Sequence, residues 1–323
     1  MNELTPLESP RDLVIAQLNE DSDRYRASSI SENTKRSYQC GIKLFVRYCE
    51  TMGLESCPAL PDTVCNFATL LRKAKKNKVS SIDRRLAAIA HLHKVNQYDS
   101  PTRSQRVKDM MAGLRRMEGE APRRMVAATS DIIKKMVAPN DSLHDIRNRA
   151  LILLGFSGAL RRSEIAALCL ENISFSDEGM TVFLAQSKTD QEGKGHLLHI
   201  AYGTKKESCP VRSMKAWIEA SNLSNPEAPL FQGIKKDGKT LLNRHLCGDS
   251  INKIVKKTVK KTDCGLDENQ FGGHSLRAGY ATTMDLNGER GANIQAGGRW
   301  LSNVFTIYIR PEKTYDLTSN LSL

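Results

Sequence analysis

The sequence contains no apolar run close to the roughly 20 residues that a helix needs to span a bilayer. Its start, Met1-Asn2-Glu3-Leu4-Thr5-Pro6, has neither the charged segment nor the apolar segment of a secretory signal. Internal repeats and low-complexity tracts are also missing. A cytoplasmic protein without membrane segments is therefore the expectation.

Patterns that bind metal or form disulfides are absent as well. The eight cysteines lie apart without a C-x-x-C pair, so we expect reduced thiols rather than a disulfide framework or a zinc site. His91-x-His93 and His196-x-x-His199 have no acidic or thiol partner at ligand spacing, and structural roles are expected for them. The sequence thus predicts neither a metal nor another cofactor.

Acidic residues are fewer than basic residues in this sequence. The 48 Lys and Arg residues outnumber the 36 Asp and Glu residues, for a formal charge of +12. Such an excess favours a polyanionic partner, and nucleic acid fits better than a membrane because apolar segments are lacking. A chain of 323 residues also exceeds what one hydrophobic core usually organises, so two domains are expected.

The first domain, residues 1–120, is predicted to be entirely helical. Apolar residues recur in steps of three and four and predict one buried helical stripe: Tyr38, Ile42, Phe45, Cys49 and Met52. Asp62 is the predicted N-cap of a helix that ends at Leu71, and further helices are predicted from Ser80 and over Ser104–Met117. This spacing favours a helical bundle.

Many cations of these helices fall outside the apolar stripes. Such residues often form an ordinary solvated face, but an excess of one sign on nearly every helix favours contact with the DNA backbone. The predicted DNA contacts are Lys35, Arg36, Lys43, Arg84, Arg85, Arg103, Arg106, Arg115 and Arg116.

Residues 121–128 are predicted to be a linker because Gly, Pro and charge replace the apolar period there. In the second domain, 129–323, helices are expected at about 129–138 and 142–156, and another begins at Arg161. Residues 180–185 and 196–201 read as two antiparallel strands, with Lys188 in their turn. From about 210 the chain is helical again. The expected fold class is mainly α with a small antiparallel sheet, an α+β catalytic domain.

Gly233-Ile234-Lys235-Lys236-Asp237-Gly238-Lys239-Thr240 matches the phosphate loop G-x-x-x-x-G-K-T of nucleotide triphosphatases. That loop must leave a buried parallel strand and open into a helix. The segment before it is short and follows Pro226 and Pro229, and Lys-Lys-Asp-Gly is ordinary β-turn chemistry. A turn is the preferred interpretation.

Two arginines are candidates for binding a phosphate. Arg161 begins a helix after a Gly-containing loop, and Glu164, three residues later, is placed to hold its guanidinium. Arg162 is a weaker candidate. Arg277 and His274 are separated by three residues, so a helix places both on one face. An arginine fork donates two parallel hydrogen bonds and stays charged, which suits the negative oxygens of a phosphodiester under attack.

Tyr308 is the candidate nucleophile, and His274 is the candidate acceptor of its proton. Tyr280 lies inside the helix of Arg277 and is expected to pack, while Tyr315 lacks the upstream motif. Lys188 is the candidate donor to a departing oxygen because lysine can give up a proton. Lys194 and Lys205 are its competitors.

These motifs, in this order and spacing, resemble those of the tyrosine recombinases, or phage integrases, and their Cre-like members in particular. The matching segments are Asn33-Thr34-Lys35-Arg36-Ser37, Asp145-Ile146-Arg147-Asn148, Leu160-Arg161-x-x-Glu164-Ile165, Ser187-Lys188-Thr189, Gly273-His274-Ser275-x-Arg277 and Gln295-Ala296-Gly297-Gly298. The resemblance implies the DNA breaking-rejoining fold, with a SAM-like core-binding domain and a catalytic domain that close on duplex DNA as a two-domain clamp.

The resemblance also implies that Arg161, Lys188, His274, Arg277 and Tyr308 are catalytic. Tyr308 would form a 3′-phosphotyrosyl link without ATP or metal, and recombination would pass through a Holliday junction. The implied partner is double-stranded DNA with a specific inverted-repeat site, bound by a dimer at one site and by a homotetramer on paired sites. A bacterial, phage or plasmid-borne protein associated with the nucleoid is implied.

One position departs from the family pattern. Nine residues before the nucleophile the family usually has His or Trp, whereas this chain has Arg299, followed by Trp300. Either Trp300 donates its indole N–H, which is the preferred interpretation, or Arg299 contacts the phosphate itself.

Three other functions remain open on the sequence. A type IB topoisomerase and a telomere resolvase share the chemistry, but the helical first domain and the chain length argue against both. A DNA-binding regulator without catalytic activity is disfavoured by the intact set from Arg161 to Tyr308.

Overall fold

The computed structural model describes residues 10–74, 76–119, 124–138, 141–185, 195–262 and 265–309. The chain divides into two compact units, Met1–Pro122 and Arg123–Leu323. Of the helices described, none has both the length and the apolar character required to cross a membrane.

The first unit is helical throughout its described residues, as predicted. Its helices are α1 Pro10–Ser28, α2 Glu32–Met52, α3 Pro61–Lys73, α4 Val79–Val95 and α5 Gln105–Glu118. Phe45 and Cys49 of the predicted stripe are buried with residues of α3, α4 and α5. Met52 is 60% exposed, contrary to prediction, because α2 ends there and Gly53 turns the chain in the left-handed conformation.

The helix starts follow from local chemistry. The side chain of Ser31 accepts a hydrogen bond from the Thr34 N–H at the start of α2, and Ser104 does the same for α5. Asp62 is not the N-cap of α3 as predicted. Leu60 holds that place, since the fixed φ of Pro61 suits the first helical position and moves Asp62 into the first turn.

His93 is a structural residue of this unit. Its ring is fully buried, Nε2 accepts a hydrogen bond from the Ala59 N–H at 2.9 Å, and Nδ1 lies 2.8 Å from the Ile89 carbonyl oxygen. Both ring nitrogens are therefore used within the core. The cysteines among the described residues are free thiols, and these residues contain no cluster of three His, Cys, Asp or Glu side chains suited to a metal.

The second unit combines helices with two small antiparallel sheets in its described part. Its helices are α6 Ser130–Met136, α7 Leu143–Ser157, α8 Arg162–Ala167, α9 Pro210–Ser221, α10 Gly248–Lys261, α11 Gly273–Leu286 and α12 Gly291–Gly298. Strands β1 Ile173–Phe175, β2 Gly179–Leu184 and β3 His196–Ala201 form one sheet, and β4 Gln232–Ile234 and β5 Leu241–His245 form the other. The predicted class, mainly α with a small antiparallel sheet, is confirmed, and the sheet of β4 and β5 is present in addition to the predicted one.

The core of this unit surrounds α7. Leu151, Ile152 and Leu154 are fully buried, and α9 packs against the same helix. Trp217 of α9 is buried too, and its indole N–H donates to the Leu230 carbonyl at 2.8 Å. The packed core fixes the end of α7, from which the candidate site begins.

The approach of α11 to the chain before α6 depends on a glycine. A Cβ added at Gly279 would lie 1.9 Å from the Ala128 carbonyl oxygen. The Ala128 N–H donates to the Ser275 carbonyl at 2.9 Å, so this backbone has little room to move. Gly113 in α5, by contrast, has nothing within 4 Å of an added Cβ.

We predict opposite effects of Gly-to-Ala substitutions at these two positions. Gly279→Ala should destabilise the second unit by about 1–3 kcal/mol through overpacking, measured by denaturant unfolding with tryptophan fluorescence. Gly113→Ala, the matched control, should stabilise the first unit by about 0.5–1 kcal/mol through helix propensity, measured by far-UV circular dichroism. Unchanged stability in Gly279→Ala would contradict this packing.

Candidate active site

The candidate site begins at the turn between α7 and α8. Ala159 in this turn has a φ of 46°, in the left-handed region that non-glycine residues rarely adopt. Its carbonyl oxygen accepts a hydrogen bond of 2.5 Å from Arg277 Nη1. The neighbouring Gly158 carbonyl accepts one of 2.9 Å from Arg299 Nη1. Two arginines from distant parts of the sequence are therefore held by one turn.

Glu164 joins two of the site's arginines. It is the third residue of α8, and its carboxylate accepts the Arg161 backbone N–H at 2.9 Å and Arg161 Nη1 at 2.6 Å. The same carboxylate accepts Arg299 Nη2 at 2.9 Å. Only 2% of the Glu164 side chain is exposed, so these are strong, shielded ion pairs. The predicted contact between Arg161 and Glu164 is present, and the contact with Arg299 was not foreseen.

Helix α11 supplies His274 and Arg277 from its first turn and a half. Gly272 precedes the helix and its N–H donates to the Ser275 hydroxyl, while the Gly273 N–H donates to Asn252 Oδ1 at 2.9 Å. His274 is exposed and Arg277 is buried. The spacing of three residues places both beside the phenol ring of Tyr308.

Tyr308 lies against three of the predicted site residues. Its ring centroid is 5.0 Å from that of His274 and 5.3 Å from that of Trp300. Arg277 Cζ lies 5.9 Å from the Tyr308 ring and 4.2 Å from the Trp300 ring. Thr282 Oγ1 donates to the Tyr308 carbonyl at 3.2 Å, which fixes the tyrosine to α11. The phenol and the cations are thus brought together within one chain.

Several buried donors at this place have no hydrogen-bond acceptor among the described residues. They are Arg277 Nε, Arg277 Nη2, Arg299 Nε and Trp300 Nε1. Buried donors are nearly always satisfied in folded proteins, so a group of them indicates a missing acceptor. Because most of these donors are cationic or lie beside a cation, the arrangement suits an anion with several oxygens.

The arginines also lower one another's affinity for protons. Burial lowers the pKa of Arg277, and the charges of Arg161 and Arg299 lower it further. Burial lowers the pKa of Arg299 too, against the opposing effect of Glu164. An anion bound here would relieve the repulsion among these guanidinium groups.

Other sequence candidates lie elsewhere. Lys188, Lys194 and Tyr315 fall outside the described residues. Tyr280 is half-buried and packs beside Gly297, where burial raises the pKa of its hydroxyl, in line with the expectation that it packs. Arg162 forms an exposed ion pair with Asp249 at 3.1 Å instead of joining the cluster.

The predicted DNA contacts of the first unit fall into two groups. Lys35, Arg106 and Arg115 form exposed ion pairs with Glu32, Asp62 and Asp83, respectively. The other group consists of exposed cations without an ion pair among the described residues: Arg36, Lys43, Arg84, Arg103 and Arg116. Arg85 is half-buried, and its Nε has no acceptor in the part of the chain described.

The Gly233–Thr240 segment is a β-hairpin and not a phosphate loop. It runs from β4 through a turn, with Gly238 at a φ of 73°, into β5. The Asp237 carboxylate accepts the Lys239 and Thr240 N–H groups, each at 2.9 Å, and the Thr240 hydroxyl. Because an antiparallel strand follows where a helix would be needed, the predicted turn is confirmed.

A phenol beside buried arginines, on an α+β unit that follows a helical unit in the chain, is an arrangement suited to an enzyme that acts on phosphodiester bonds. The profile of the phage integrase family matches residues 127–312, and that of the phage integrase N-terminal SAM-like domain matches residues 25–96. The chain belongs to the phage integrase family, the tyrosine recombinases, and the resemblance seen in its motifs is confirmed.

Named relatives agree with this assignment. The chain is 33% identical over 260 residues to the integrase/recombinase xerD homolog of Selenomonas ruminantium, covering 79% of this chain and 74% of that protein. It is 25% identical over 298 residues to the recombinase cre of Escherichia phage P1, covering 87% and 85%, respectively. The Cre-like expectation is thus matched by one relative, while the XerD homolog has the higher identity of the two.

Solved structures agree in fold. The Tn1549 transposon integrase in complex with transposon right end DNA matches with a TM-score of 0.59 and 16% identity, over 95% of this chain and 99% of that one. A lambda integrase dimer bound to a COC′ core site matches with a TM-score of 0.58 and 13% identity, over 96% and 85%. At such identities the likeness establishes the fold.

The stability of the turn between β4 and β5 should depend on pH. The three donors to its carboxylate lower the pKa of Asp237 to about 2 from an ordinary 3.8, with the Thr240 hydroxyl as the largest cause. The carboxylate should therefore stabilise the turn above the ordinary pKa, and this contribution should be lost as the pH falls through the lowered value. A carboxyl-carbon NMR titration measures it directly.

Thr240→Val is the matched control, because it removes the hydroxyl donor and keeps both backbone donors. It should raise the pKa of Asp237 toward the ordinary value. A wild-type Asp237 that titrates at 3.8 or above would show that the turn does not form in solution.

Proposed function

We propose that the chain is a site-specific DNA recombinase that cuts and rejoins duplex DNA by transesterification, through a 3′-phosphotyrosyl intermediate and a Holliday junction. The observation that carries the proposal is the Tyr308 phenol beside Arg277, Trp300 and His274. Buried donors that find no acceptor among the described residues surround the same place. Residues 1–120 are proposed as the core-binding domain, 121–128 as the linker and 129–323 as the catalytic domain.

The proposed roles follow from the chemistry of each group. Arg161 and Arg277 bind the nonbridging oxygens of the scissile phosphate, and Trp300 donates its indole N–H to one of them. Tyr308 Oη attacks phosphorus while its proton passes to His274, which acts as the general base. The bond from phosphorus to the 5′ oxygen breaks, and Lys188 donates a proton to that oxygen. A 5′ hydroxyl of the partner strand reverses these steps.

The proposed partner is double-stranded DNA with an inverted-repeat site, bound by a dimer on one site and a homotetramer on paired sites. Support comes from the related structures, since the lambda integrase dimer is bound to its core site and the Tn1549 integrase to transposon end DNA. The excess of basic residues agrees with such a partner. Strand exchange between two DNA molecules distinguishes a recombinase from a topoisomerase of the same chemistry.

The proposed covalent link between Tyr308 and DNA can be trapped on a nicked duplex. A duplex is selected from a randomised library by its binding to Tyr308→Phe, and a nick beside the cleavage position then traps the cleaved state. The unmodified protein should form a covalent adduct on this nicked duplex, detected as a shifted band in a denaturing gel. Tyr308→Phe should form none while its affinity for the intact duplex is retained.

Arg161→Ala should bind the same duplex somewhat less tightly and form adduct about 10²–10³ times more slowly, because one preorganised donor to the phosphate is lost. Arg162→Ala is the matched control, since the neighbouring guanidinium pairs with Asp249 outside the cluster. An adduct on Tyr308→Phe would move the nucleophile to another residue. Absence of adduct from the unmodified protein would favour a non-catalytic regulator.

Salt dependence provides a test of the proposed DNA-binding residues. Arg36 and Lys43 lie seven residues apart on α2 and are exposed. Each contact with a phosphate contributes about 0.9 to the slope of log affinity against log salt concentration. The double variant Arg36→Ala/Lys43→Ala should therefore reduce this slope by about 2, measured by fluorescence anisotropy of the selected duplex.

The matched control is Lys73→Ala/Lys94→Ala, which removes two exposed cations of the same unit outside the predicted contacts. It should leave the slope unchanged. Equal slopes for both double variants would remove α2 from the proposed DNA interface.

A further inference from the structure

Arg299 occupies a backbone position that does not suit it. Helix α12 ends at Gly298, and Arg299 follows with a φ of 57° in the left-handed conformation. Its N–H donates to the Ala296 carbonyl and the Trp300 N–H donates to the Gln295 carbonyl, each at 3.0 Å. Helix ends of this type favour glycine. An arginine here is better explained by what its side chain does than by the turn.

Two of the three guanidinium nitrogens of Arg299 donate to other protein groups, and Nε has no acceptor among the described residues. The side chain is 7% exposed, with Nη1 on the Gly158 carbonyl and Nη2 on the Glu164 carboxylate, both at 2.9 Å. Arg161 differs from it, because its side chain is 19% exposed. Arg161 uses Nη1 for Glu164, and its Nε and Nη2 have no acceptor among the described residues. Of the two, Arg161 is the one placed to bind an incoming phosphate.

The charges decide what Arg299 contributes. Glu164 alone would neutralise Arg161, since one buried carboxylate faces one guanidinium at 2.6 Å. Arg299 shares the same carboxylate at 2.9 Å and gives the group of three an excess positive charge. Negative charge builds up on the nonbridging oxygens of the phosphate as the phenol attacks. Because Arg299 offsets the charge of Glu164, the positive charge of Arg161 remains available to stabilise those oxygens in the transition state.

We infer that Arg299 is a positioning residue for phosphodiester cleavage. It offsets the charge of Glu164 and connects the turn at Gly158 to α12, so that Arg161 is fixed in place and its positive charge is available to the scissile phosphate. The inference rests on the proposed function and assigns the direct phosphate contact at this end of α12 to Trp300. Trp300 Nε1 is buried and has no acceptor among the described residues. Arg299 Nε is in the same state, but both η nitrogens of Arg299 are occupied, so this guanidinium cannot offer a phosphate the two parallel N–H groups of a fork.

The test uses the nicked duplex selected as described for Tyr308→Phe. It measures separately the affinity for the intact duplex and the rate of adduct formation by saturating protein. Arg299→Gln should slow adduct formation about 10²-fold and change the affinity by less than about threefold, because a charge that acts on the transition state is lost. Arg299→Lys keeps the charge and should stay within about tenfold of the unmodified rate.

A second comparison separates positioning through Glu164 from a direct contact with phosphate. In a Glu164→Gln background the carboxylate charge is gone, so adding Arg299→Gln should cost less than about threefold. If Arg299 contacted the phosphate directly, Arg299→Gln would slow adduct formation by the same factor with Glu164 present and with Glu164→Gln. Thermal unfolding monitors whether Arg299→Gln alone weakens folding. The double variant removes both buried charges together, so its rate can still be compared with the rate of Glu164→Gln alone.

Two outcomes overturn the inference: equal losses from Arg299→Gln in the two backgrounds, or equal rates for Arg299→Lys and Arg299→Gln. Failure of the unmodified protein to form adduct is a different result. It overturns the proposed function and the inference with it.

Discussion

The site depends on one buried carboxylate. Glu164 accepts hydrogen bonds from the Arg161 backbone, the Arg161 guanidinium and the Arg299 guanidinium, with only 2% of its side chain exposed. Without it, the charges of the buried side chains of Arg277 and Arg299 and of the partly exposed Arg161 would lack the compensation of this carboxylate, and an uncompensated buried ion costs several kcal/mol. With it, one acidic group lets three cations share a space, and the remaining positive excess is available to an anion.

The second constraint is the turn that follows α7. Its carbonyls point at Arg277 and Arg299 because Ala159 adopts a left-handed φ of 46°. A non-glycine residue in that conformation costs roughly 1 kcal/mol, and such strain persists only where the surroundings fix it. Here the fully buried residues of α7 hold one side of the turn, and the two guanidiniums hold the other. The packing of the core thereby fixes the orientation of Arg277 and Arg299 in the candidate site.

The sequence was sufficient for residues whose role depends on spacing along one helix. Arg161 and Glu164, or His274 and Arg277, are three residues apart, and helical geometry alone predicts that they meet. It was insufficient for the acceptors Gly158 and Ala159, because a backbone carbonyl carries no residue signature and its direction depends on the turn. Strands β1, β4 and β5 were missed because three to five residues are too few to show an alternating pattern.

The choice between Arg299 and Trp300 shows why tertiary geometry was needed. The left-handed backbone at Arg299 ends α12, and the two adjacent side chains then serve different groups: Arg299 reaches Glu164, and Trp300 lies under Arg277. Trp300 also packs with Phe305 and Tyr308, while Thr282 holds the Tyr308 carbonyl. Helix α11 therefore supplies His274, supplies Arg277 and fixes the tyrosine. The placement of this one helix explains how the Tyr308 phenol comes to lie beside the cations of its own chain.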